Sequence, residues 1–580
     1  LLEAYGSNGI TGLGNEAINL TDTSVSVTDL NTLDSYTSGS IDASDIQEIT
    51  GSVSALTAAY SSQGIINLGT SILLTDTTSS TSSINLLDNL SSGLINAGSI
   101  NTLFGNSAST NTLYGSSTTT ESGISDGILN LGNEVIILSD SVIDASSLIS
   151  IASSSSGTSG NINVGEVIKI QGTTESVNSL YDTYIHIQSL GNESITITDN
   201  VGSSANLVTL FGNTSGIIDA TSLYRIDGAL QELNNVYDST QFTGLNNEDI
   251  TLSDSTISST YDVSYLNTLD GYTAGTVNAG TLTTISGSLS DLITSYQAAG
   301  ITNLGNEAII LKDTGTVAAS DLTTLASLNS TGTIDASSVS TITGSATEII
   351  AVYTDGTITE PSNVDLTVNS GTVSVDQGRS LNTYTVGIVT GTITSGTTIA
   401  QMLDGAVTST DLVTKGLTEG TGGNAYTITI DSSDSSVKAT DLTLLSRLTT
   451  VSIDASSVTE ITGFILDTMT VYARVPDEFT NLGNEDVIIT DTETSELTAF
   501  NLLNDATTGT INAESITALT GAASDLNILL TAGNNVSVAN QFSGNSFSSL
   551  ATVTVNAGGL AISIADLNGA IAQANTATGK

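Results

Sequence analysis

The sequence repeats itself, and this repetition restricts the fold more than any other feature. A Leu-Gly-Asn-Glu segment recurs about every 59 residues, or near multiples of that spacing. Its copies begin at Leu13, Leu131, Leu190, Leu304 and Leu482, and a Leu-Asn-Asn-Glu variant begins at Leu245. Each copy leads into a strand-like apolar run, so we expect stacked structural units rather than independent domains.

A second marker of the form Ile-Asp-Ala-Ser follows within each unit. Its copies begin at Ile41, Ile95, Ile218, Val277, Ile334, Ile453, Ile511 and Val555. The run from Ile334 to Val339 also resembles Val317 to Leu322, which starts 17 residues earlier. Both runs alternate at first, as strands do, and then place apolar residues three apart. We therefore predict a short strand followed by one or two helical turns in both runs, with Ile334 and Val339 in the core.

A helix start closes each unit. Ser345 and Glu348 have the spacing of a capping box, and Ile349, Ile350 and Tyr353 follow. Ser288 to Asp291 occupies the same place one unit earlier. These signals predict a short helix in each position.

Together these patterns predict an α/β repeat solenoid. It is β-rich, with short parallel strands alternating with short helices or turns, and about 58 residues per unit. We expect one continuous array over 1–580, because no unit can bury its own apolar face. The chain starts partway through a unit, so we expect a fragment of a longer chain. Nine or ten units are expected at about 10–64, 65–123, 124–189, 190–244, 245–303, 304–362, 363–423, 424–481, 482–540 and 541–580.

The charge narrows the choice of partners. Asp and Glu total 59 against 9 Lys and Arg, which gives a formal net charge of -50. Hydrophobic residues still make up 38% of the chain, so we expect a folded acidic protein rather than a disordered one. Nucleic-acid binding depends on Lys and Arg at phosphates, and we expect none here. No apolar run is long enough to cross a membrane, and the absence of cysteine excludes disulfides and thiol catalysis.

Divalent cations are the partners that this charge favours, and no cofactor is required. Six aspartates each follow the first strand of a unit and precede a turn. They are Asp22, Asp140, Asp199, Asp254, Asp313 and Asp491. Aspartate in a turn usually accepts hydrogen bonds from nearby backbone amides, which is the interpretation we favour. Stacked at one interval, the same carboxylates would form a ladder that calcium could bridge.

The sequence offers no catalytic residues. His186 is the only histidine, and it lies in the alternating run from Tyr184 to Ile187. We expect it to be an outward-facing strand residue. Acidic pairs such as Asp431 and Asp434 recur by repeat position, so they are expected at solvated edges or as ion ligands rather than as acid–base groups.

The repeats resemble those of giant cell-surface proteins of marine cyanobacteria. The resemblance rests on Gly423 to Gly463, which reads GNAYTITIDSSDSSVKATDLTLLSRLTTVSIDASSVTEITG, and on two similar stretches beginning at Leu304 and Leu30. It covers nearly the whole chain and implies secretion to the cell surface. It implies no active site. The Gly-Gly-x-Gly-x-Asp calcium repeats of some relatives do not occur here.

We therefore expect an extracellular structural protein that forms a fibre, surface layer or stalk and associates with itself or with neighbouring repeats. An alternative is the stalk or binding module of an adhesin that contacts a surface or a glycan. The least favoured alternative is a polysaccharide-acting enzyme on a β-solenoid, since the few basic residues are dispersed.

Overall fold

Short strands and short helices alternate along the chain in the computed structural model. The structure describes residues 1–68, 71–118, 127–154, 160–258, 260–513, 515–516, 518–522, 524–525 and 552–555. All pairings between these strands are parallel. The marker at 555–558, apart from Val555, and the final residues of the chain lie outside the described residues.

The chain forms two compact bodies, each of which contains several of the repeat units. The first comprises Leu1–Ser255, Tyr265–Leu282 and Ala299–Asn303, and the second comprises Thr256–Ser264, Thr283–Ala298 and Leu304–Lys580.

In the first compact body, with strands given in spatial order, one sheet consists of Ile18–Asn19, Ile41–Asp42 and Ile65–Ile66, and a second of Ser117–Thr118, Gly127–Leu129, Leu94–Asn96, Ser71–Leu74, Glu48–Gly51 and Ser24–Ser26. A third consists of Ile187–Gln188, Ile162–Asn163, Val135–Leu138, Thr102–Gly105 and Thr78–Ser80, and a fourth of Val142–Asp144, Lys169–Gly172, Ser194–Ile197, Ile218–Asp219 and Phe242–Thr243. A further sheet consists of Val201–Ser203, Arg225–Gly228, Asp249–Leu252, Val277–Asn278 and Ile301–Thr302.

In the second compact body, again in spatial order, one sheet consists of Thr256–Ile257, Thr284–Gly287, Ala308–Leu311, Ile334–Asp335 and Ile358–Thr359, and the next of Thr316–Ala318, Thr341–Ser345, Asp365–Ser370, Val389–Thr392 and Ala425–Thr427. Another consists of Ser436–Lys438, Glu460–Gly463, Asp486–Ile489 and Ile511–Asn512. The smaller sheets are Ile453–Asp454 with Phe479–Thr480, and Thr494–Glu496, Ala518–Gly521 and Thr552–Val555.

The helices are short, and within each compact body most successive helices pack on one another, as α11, α12 and α13 do. They are α1 Leu2–Gly6, α2 Val27–Tyr36, α3 Val53–Ser61, α4 Thr81–Leu90, α5 Ser107–Gly115, α6 Ala145–Ser154, α7 Thr174–Asp182, α8 Ser204–Asn213, α9 Leu230–Asp238, α10 Val263–Tyr272, α11 Leu289–Gln297, α12 Ala319–Leu328, α13 Ala346–Thr354, α14 Val375–Tyr384, α15 Ile399–Leu403, α16 Ala439–Leu445, α17 Ile465–Tyr472 and α18 Leu497–Ala506, with 3-10 turns at Asp411–Val413 and Ser446–Leu448. Among the described residues, no helix is both long enough and apolar enough to span a membrane.

The chain moves back and forth between neighbouring sheets. Ala308–Leu311 lies in one sheet and Thr316–Ala318 in the next, and α12 then leads back to the first sheet at Ile334–Asp335. The strand Thr341–Ser345 rejoins the second sheet before α13 begins. We call one helix, together with the strands that lie between it and the preceding helix, a rung. The rung of α13, for example, contributes Ile334–Asp335 to one sheet and Thr341–Ser345 to another.

Isoleucines in register form the core of these sheets. Ile309 pairs with Ile334, and Ile334 pairs with Ile358. All three are buried, whereas Ile310 on the opposite face of its strand is exposed. Burying a side chain of this size contributes about 1.5–3 kcal/mol. The predicted core residues Ile334 and Val339 are confirmed at 0% and 3% exposed, as are their equivalents Ile453 and Val458 at 0% and 4%.

The predicted capping box is confirmed, but one helical prediction is wrong. Ser345 accepts the N–H of Glu348 at the start of α13, and the Glu348 carboxylate accepts the N–H of Ser345. The run beginning at Ile334 forms a turn instead of helical turns, because Asp335 Oδ1 accepts the N–H of Ser337 at 2.9 Å. Ala318, at the equivalent position of the earlier run, has no such acceptor, and α12 begins at the next residue.

Candidate functional site: a recurring buried glutamate

The glutamate of the Leu-Gly-Asn-Glu segment lies inside the protein. Five copies are only 1 to 3% exposed, namely Glu134, Glu193, Glu248, Glu307 and Glu485. Glu16, in the first copy, is half-buried. Buried carboxylates are rare unless they are paired or hydrogen-bonded, so each of these side chains needs donors nearby.

The tight turn before each glutamate provides the first donor. At Glu307, the N–H groups of Gly305 and Asn306 donate to the carboxylate at 2.9 and 3.1 Å. Gly305 has a φ of 149°, in a region that favours glycine, and this lets the chain fold back on the side chain. Gly14, Gly132, Gly191 and Gly483 donate in the same way to their own glutamates.

A tyrosine from the preceding helix provides the second donor. Tyr296 of α11 donates its hydroxyl to Glu307 at 2.6 Å. Burial raises the pKa of Tyr296, and the hydrogen bond to Glu307 and the charge of that carboxylate raise it further. The same contact joins Tyr5 to Glu16, Tyr114 to Glu134, Tyr181 to Glu193, Tyr237 to Glu248 and Tyr472 to Glu485. Each glutamate therefore ties its strand to the helix of the preceding rung.

The backbone of the same glutamate is held by the following rung. Thr273 donates its hydroxyl to the carbonyl oxygen of Glu248 at 2.7 Å, and it accepts the N–H of Gly275 at 2.9 Å. A Cβ on Gly275 would lie 2.3 Å from that carbonyl oxygen, so only glycine fits there. Thr37, Thr214 and Thr507 make the equivalent bond to Glu16, Glu193 and Glu485, and Asn329 makes it to Glu307.

This arrangement supports structure rather than catalysis. A catalytic carboxylate must reach the proton that it transfers. Here the carboxylates are covered by their own turn and by a tyrosine from an adjacent helix. Glu193 and Glu307 each keep one buried oxygen without a hydrogen bond, but that oxygen is enclosed by protein. The geometry joins three successive segments of chain through one side chain and its backbone.

Not every repeat unit has this glutamate. The hydroxyl of Thr449 donates to the carbonyl oxygen of Tyr426 at 2.6 Å, so Tyr426 occupies the place that glutamate takes elsewhere. Tyr426 is fully buried, and burial raises its pKa. The segment before it, from Thr394 to Gly423, contains only the short helix α15 and a 3-10 turn.

Five of the six predicted aspartates accept a hydrogen bond from the first backbone N–H of a helix in the preceding rung. Asp313 accepts from Leu289 of α11 at 2.7 Å. Asp140, Asp199, Asp254 and Asp491 accept in the same way from Ser107, Thr174, Leu230 and Ile465. Asp22 instead lines an open cavity beside Leu1, Leu2 and Glu3. Negative charge is favourable at a helix N-terminus, where backbone N–H groups lack partners.

The sequence patterns missed two members of this set. Asp76 accepts the N–H of Val53, and Asp434 accepts the N–H of Ile399, both at 2.7 Å. They were missed because neither follows a Leu-Gly-Asn-Glu segment or its Leu-Asn-Asn-Glu variant. The described part of the chain contains no cluster of three or more His, Asp or Glu side chains that could hold a metal ion. A calcium role for the aspartates stays a prediction.

His186 lies in a turn rather than in a strand. The strand begins at the next residue, Ile187, and the His186 ring packs edge-on to Tyr184 with centroids 6.1 Å apart. Its side chain is half-buried, and its Nε2 atom is buried without a hydrogen bond. The expected outward strand position is therefore wrong. No acidic side chain is hydrogen-bonded to it among the described residues.

The candidate site thus consists of a recurring glutamate, the tyrosine that donates to it, the threonine that holds its backbone, and an aspartate that caps the preceding helix. Neither a protein-family model nor a curated protein matches the chain.

Proposed function

We propose that the chain is a solenoid with units of about 58 residues, and that it serves as an extended structural element on the outside of a cell. The observation that carries the proposal is the use of the recurring polar residues. Glutamate, tyrosine, threonine and aspartate are engaged in contacts between successive rungs, as at Glu307, Tyr296 and Asp313. A protein selected for catalysis or ligand binding would be expected to present such recurring groups to solvent.

The strand pairing supports the solenoid part of the proposal. Ile285, Ile309, Ile334 and Ile358 are successive register partners in one sheet, so each strand pairs with one from a neighbouring rung. Such nearest-neighbour contacts are the basis of solenoid stability. Self-association and calcium binding remain further proposals for the intact surface element.

The location can be tested on intact source cells. Antibodies raised against the chain should label intact cells, and a protease that cannot enter cells should remove the label. A cytoplasmic enzyme measured in the same samples controls for leakage. Label that appears only after permeabilisation, on a chain protected from protease, would contradict the proposal.

The structural role requires a second measurement. Deleting the gene should remove a fibre, layer or stalk from the cell surface in electron micrographs, and restoring the gene should bring it back. A surface that is unchanged by the deletion would count against the structural role even if the location were correct.

A further inference from the structure

Tyrosine rings stack in pairs between helices of successive rungs. Tyr353 of α13 and Tyr384, the last residue of α14, have ring centroids 4.8 Å apart and planes only 6° from parallel. Tyr237 with Tyr272 and Tyr5 with Tyr36 repeat the arrangement, at 5.6 and 6.5 Å and within 3° of parallel. In each pair, the second tyrosine ends its helix. The pairing is therefore a recurring feature of the fold.

The pair Tyr353 and Tyr384 is the closest of the three. Parallel planes at a centroid distance of 4.8 Å bring ring atoms of the two phenols into van der Waals contact. Val364 occupies the position of the buried glutamate in this unit, since Thr385 donates its hydroxyl to the Val364 carbonyl. The Tyr353 hydroxyl, which elsewhere would donate to that glutamate, is buried without a hydrogen bond. The ring is thus held by stacking and burial.

Two phenols in contact are the reactants of oxidative coupling. Loss of one electron and one proton from a phenol gives a radical whose unpaired electron is shared between the oxygen and the ortho carbons. Two such radicals join through their ortho carbons, and each ring then regains its hydroxyl by moving the displaced ortho hydrogen to oxygen. The protein loses two hydrogen atoms in total, and one hydrogen peroxide is reduced to two waters.

We propose that Tyr353 and Tyr384 are a site of dityrosine formation by a haem peroxidase with hydrogen peroxide, which covalently links two successive rungs. The fold supplies the proximity, because the two residues are 31 positions apart in sequence but are held in contact. Holding two reactants together in this way greatly raises the rate of their reaction. The proposal does not depend on where the protein is located or on its proposed role.

The scarcity of basic residues makes the test direct. Lys312, Arg379 and Lys415 are successive trypsin sites, so Tyr353 is the only tyrosine of peptide 313–379, and Tyr384 is the only one of peptide 380–415. The purified chain is treated at high dilution with horseradish peroxidase and hydrogen peroxide, then digested and analysed by mass spectrometry. We expect a species with the summed mass of the two peptides less two hydrogens, together with dityrosine fluorescence.

Matched variants and unfolding decide the outcome. Tyr353→Phe and Tyr384→Phe keep a stacked ring but should abolish the joined peptide, whereas Tyr224→Phe, which changes a 60% exposed tyrosine, should leave its yield unchanged. In concentrated urea the yield from the native sequence should fall at least about tenfold, because the proximity is lost. Absence of the joined peptide from the folded chain, or an equal yield from the unfolded chain, would overturn the proposal.

Discussion

Glu307 shows how one residue can join three parts of the chain. Its carboxylate accepts hydrogen bonds from its own turn and from Tyr296, while its carbonyl oxygen accepts the side-chain amide of Asn329. A buried carboxylate that loses a donor is costly, because water cannot replace the lost bond. The contact should therefore be sensitive to the removal of a single hydroxyl group.

Removing the tyrosine hydroxyl tests this contact. We expect Tyr296→Phe to lower the free energy of unfolding by about 1–3 kcal/mol, because it leaves a buried charge with fewer donors. Hydrogen exchange at the Gly305 amide, which donates to the same carboxylate, should become faster. Tyr224→Phe is the matched control and should change stability by less than about 0.5 kcal/mol. Equal effects of the two changes, measured by urea denaturation, would argue against a stabilising role for the Glu307 contact.

Asp411 provides a prediction about pH. The backbone N–H of Val407, followed by the hydroxyl and N–H of Thr408, lowers the pKa of Asp411 to about 2. Since the folded pKa lies below the ordinary value of 3.8, the stabilisation is complete above that value and is lost as the pH falls through about 2. The side-chain carboxyl carbon of Asp411, followed by NMR, should therefore show a titration midpoint at a pH of about 2.

Variants of two nearby threonines test whether the hydrogen bonds from Thr408 lower the pKa of Asp411. Thr408→Val removes one donor to Asp411 and should raise its pKa toward the ordinary value. Thr410→Val changes an exposed residue next to Asp411 and should leave the titration unchanged. A midpoint at the ordinary value in the unmodified chain would show that these hydrogen bonds do not form in solution.

At the scale of the element, sequence patterns predicted those features that depend on local chemistry. The capping box at Ser345 and the buried strand residue Ile334 follow from spacing alone. The burial of Glu307 was missed, because a recurring charged residue is ordinarily a surface residue. Tyrosines recur 11 to 13 positions before several of these glutamates, as at Tyr296, Tyr181 and Tyr472, and this spacing was the available signal. The partner of Asp313 could not be predicted, because it depends on how successive rungs stack.

A glycine in the connection between α12 and the strand Ile334–Asp335 tests the close approach of rungs. A Cβ on Gly332 would lie 2.2 Å from the carbonyl oxygen of Glu307, and backbone cannot move aside easily. We therefore expect Gly332→Ala to destabilise the protein by about 1–3 kcal/mol, as overpacking does. Gly356→Ala is the control, because nothing lies within 4 Å of its added Cβ and its φ is not positive. If both variants unfold at the same urea concentration, the rungs are not in the close contact described.

At the scale of the whole molecule, the excess of negative charge affects stability. A net charge of -50 repels itself and destabilises the folded state at low salt. The ion pairs among the described residues are few and mostly lie at the surface, as with Arg447 and Glu419. Such pairs contribute little individually. Dissolved salt is therefore expected to influence stability more than the internal ion pairs do.

A comparison of sodium with calcium distinguishes general screening of the negative charge from specific binding of calcium. At about 0.5 M salt the Debye length falls to a few ångströms, so repulsion between exposed carboxylates is largely removed. Because Asp313 already accepts the N–H of Leu289, we expect sodium chloride to raise the melting temperature as much as calcium chloride of equal ionic strength. Asp313→Asn should lower stability equally with and without calcium, since it weakens a helix cap rather than a metal site. Melting curves recorded with and without millimolar calcium in 0.5 M sodium chloride decide between the two mechanisms. A calcium-dependent rise that persists in that salt and is reduced in Asp313→Asn would instead establish the aspartates as calcium ligands.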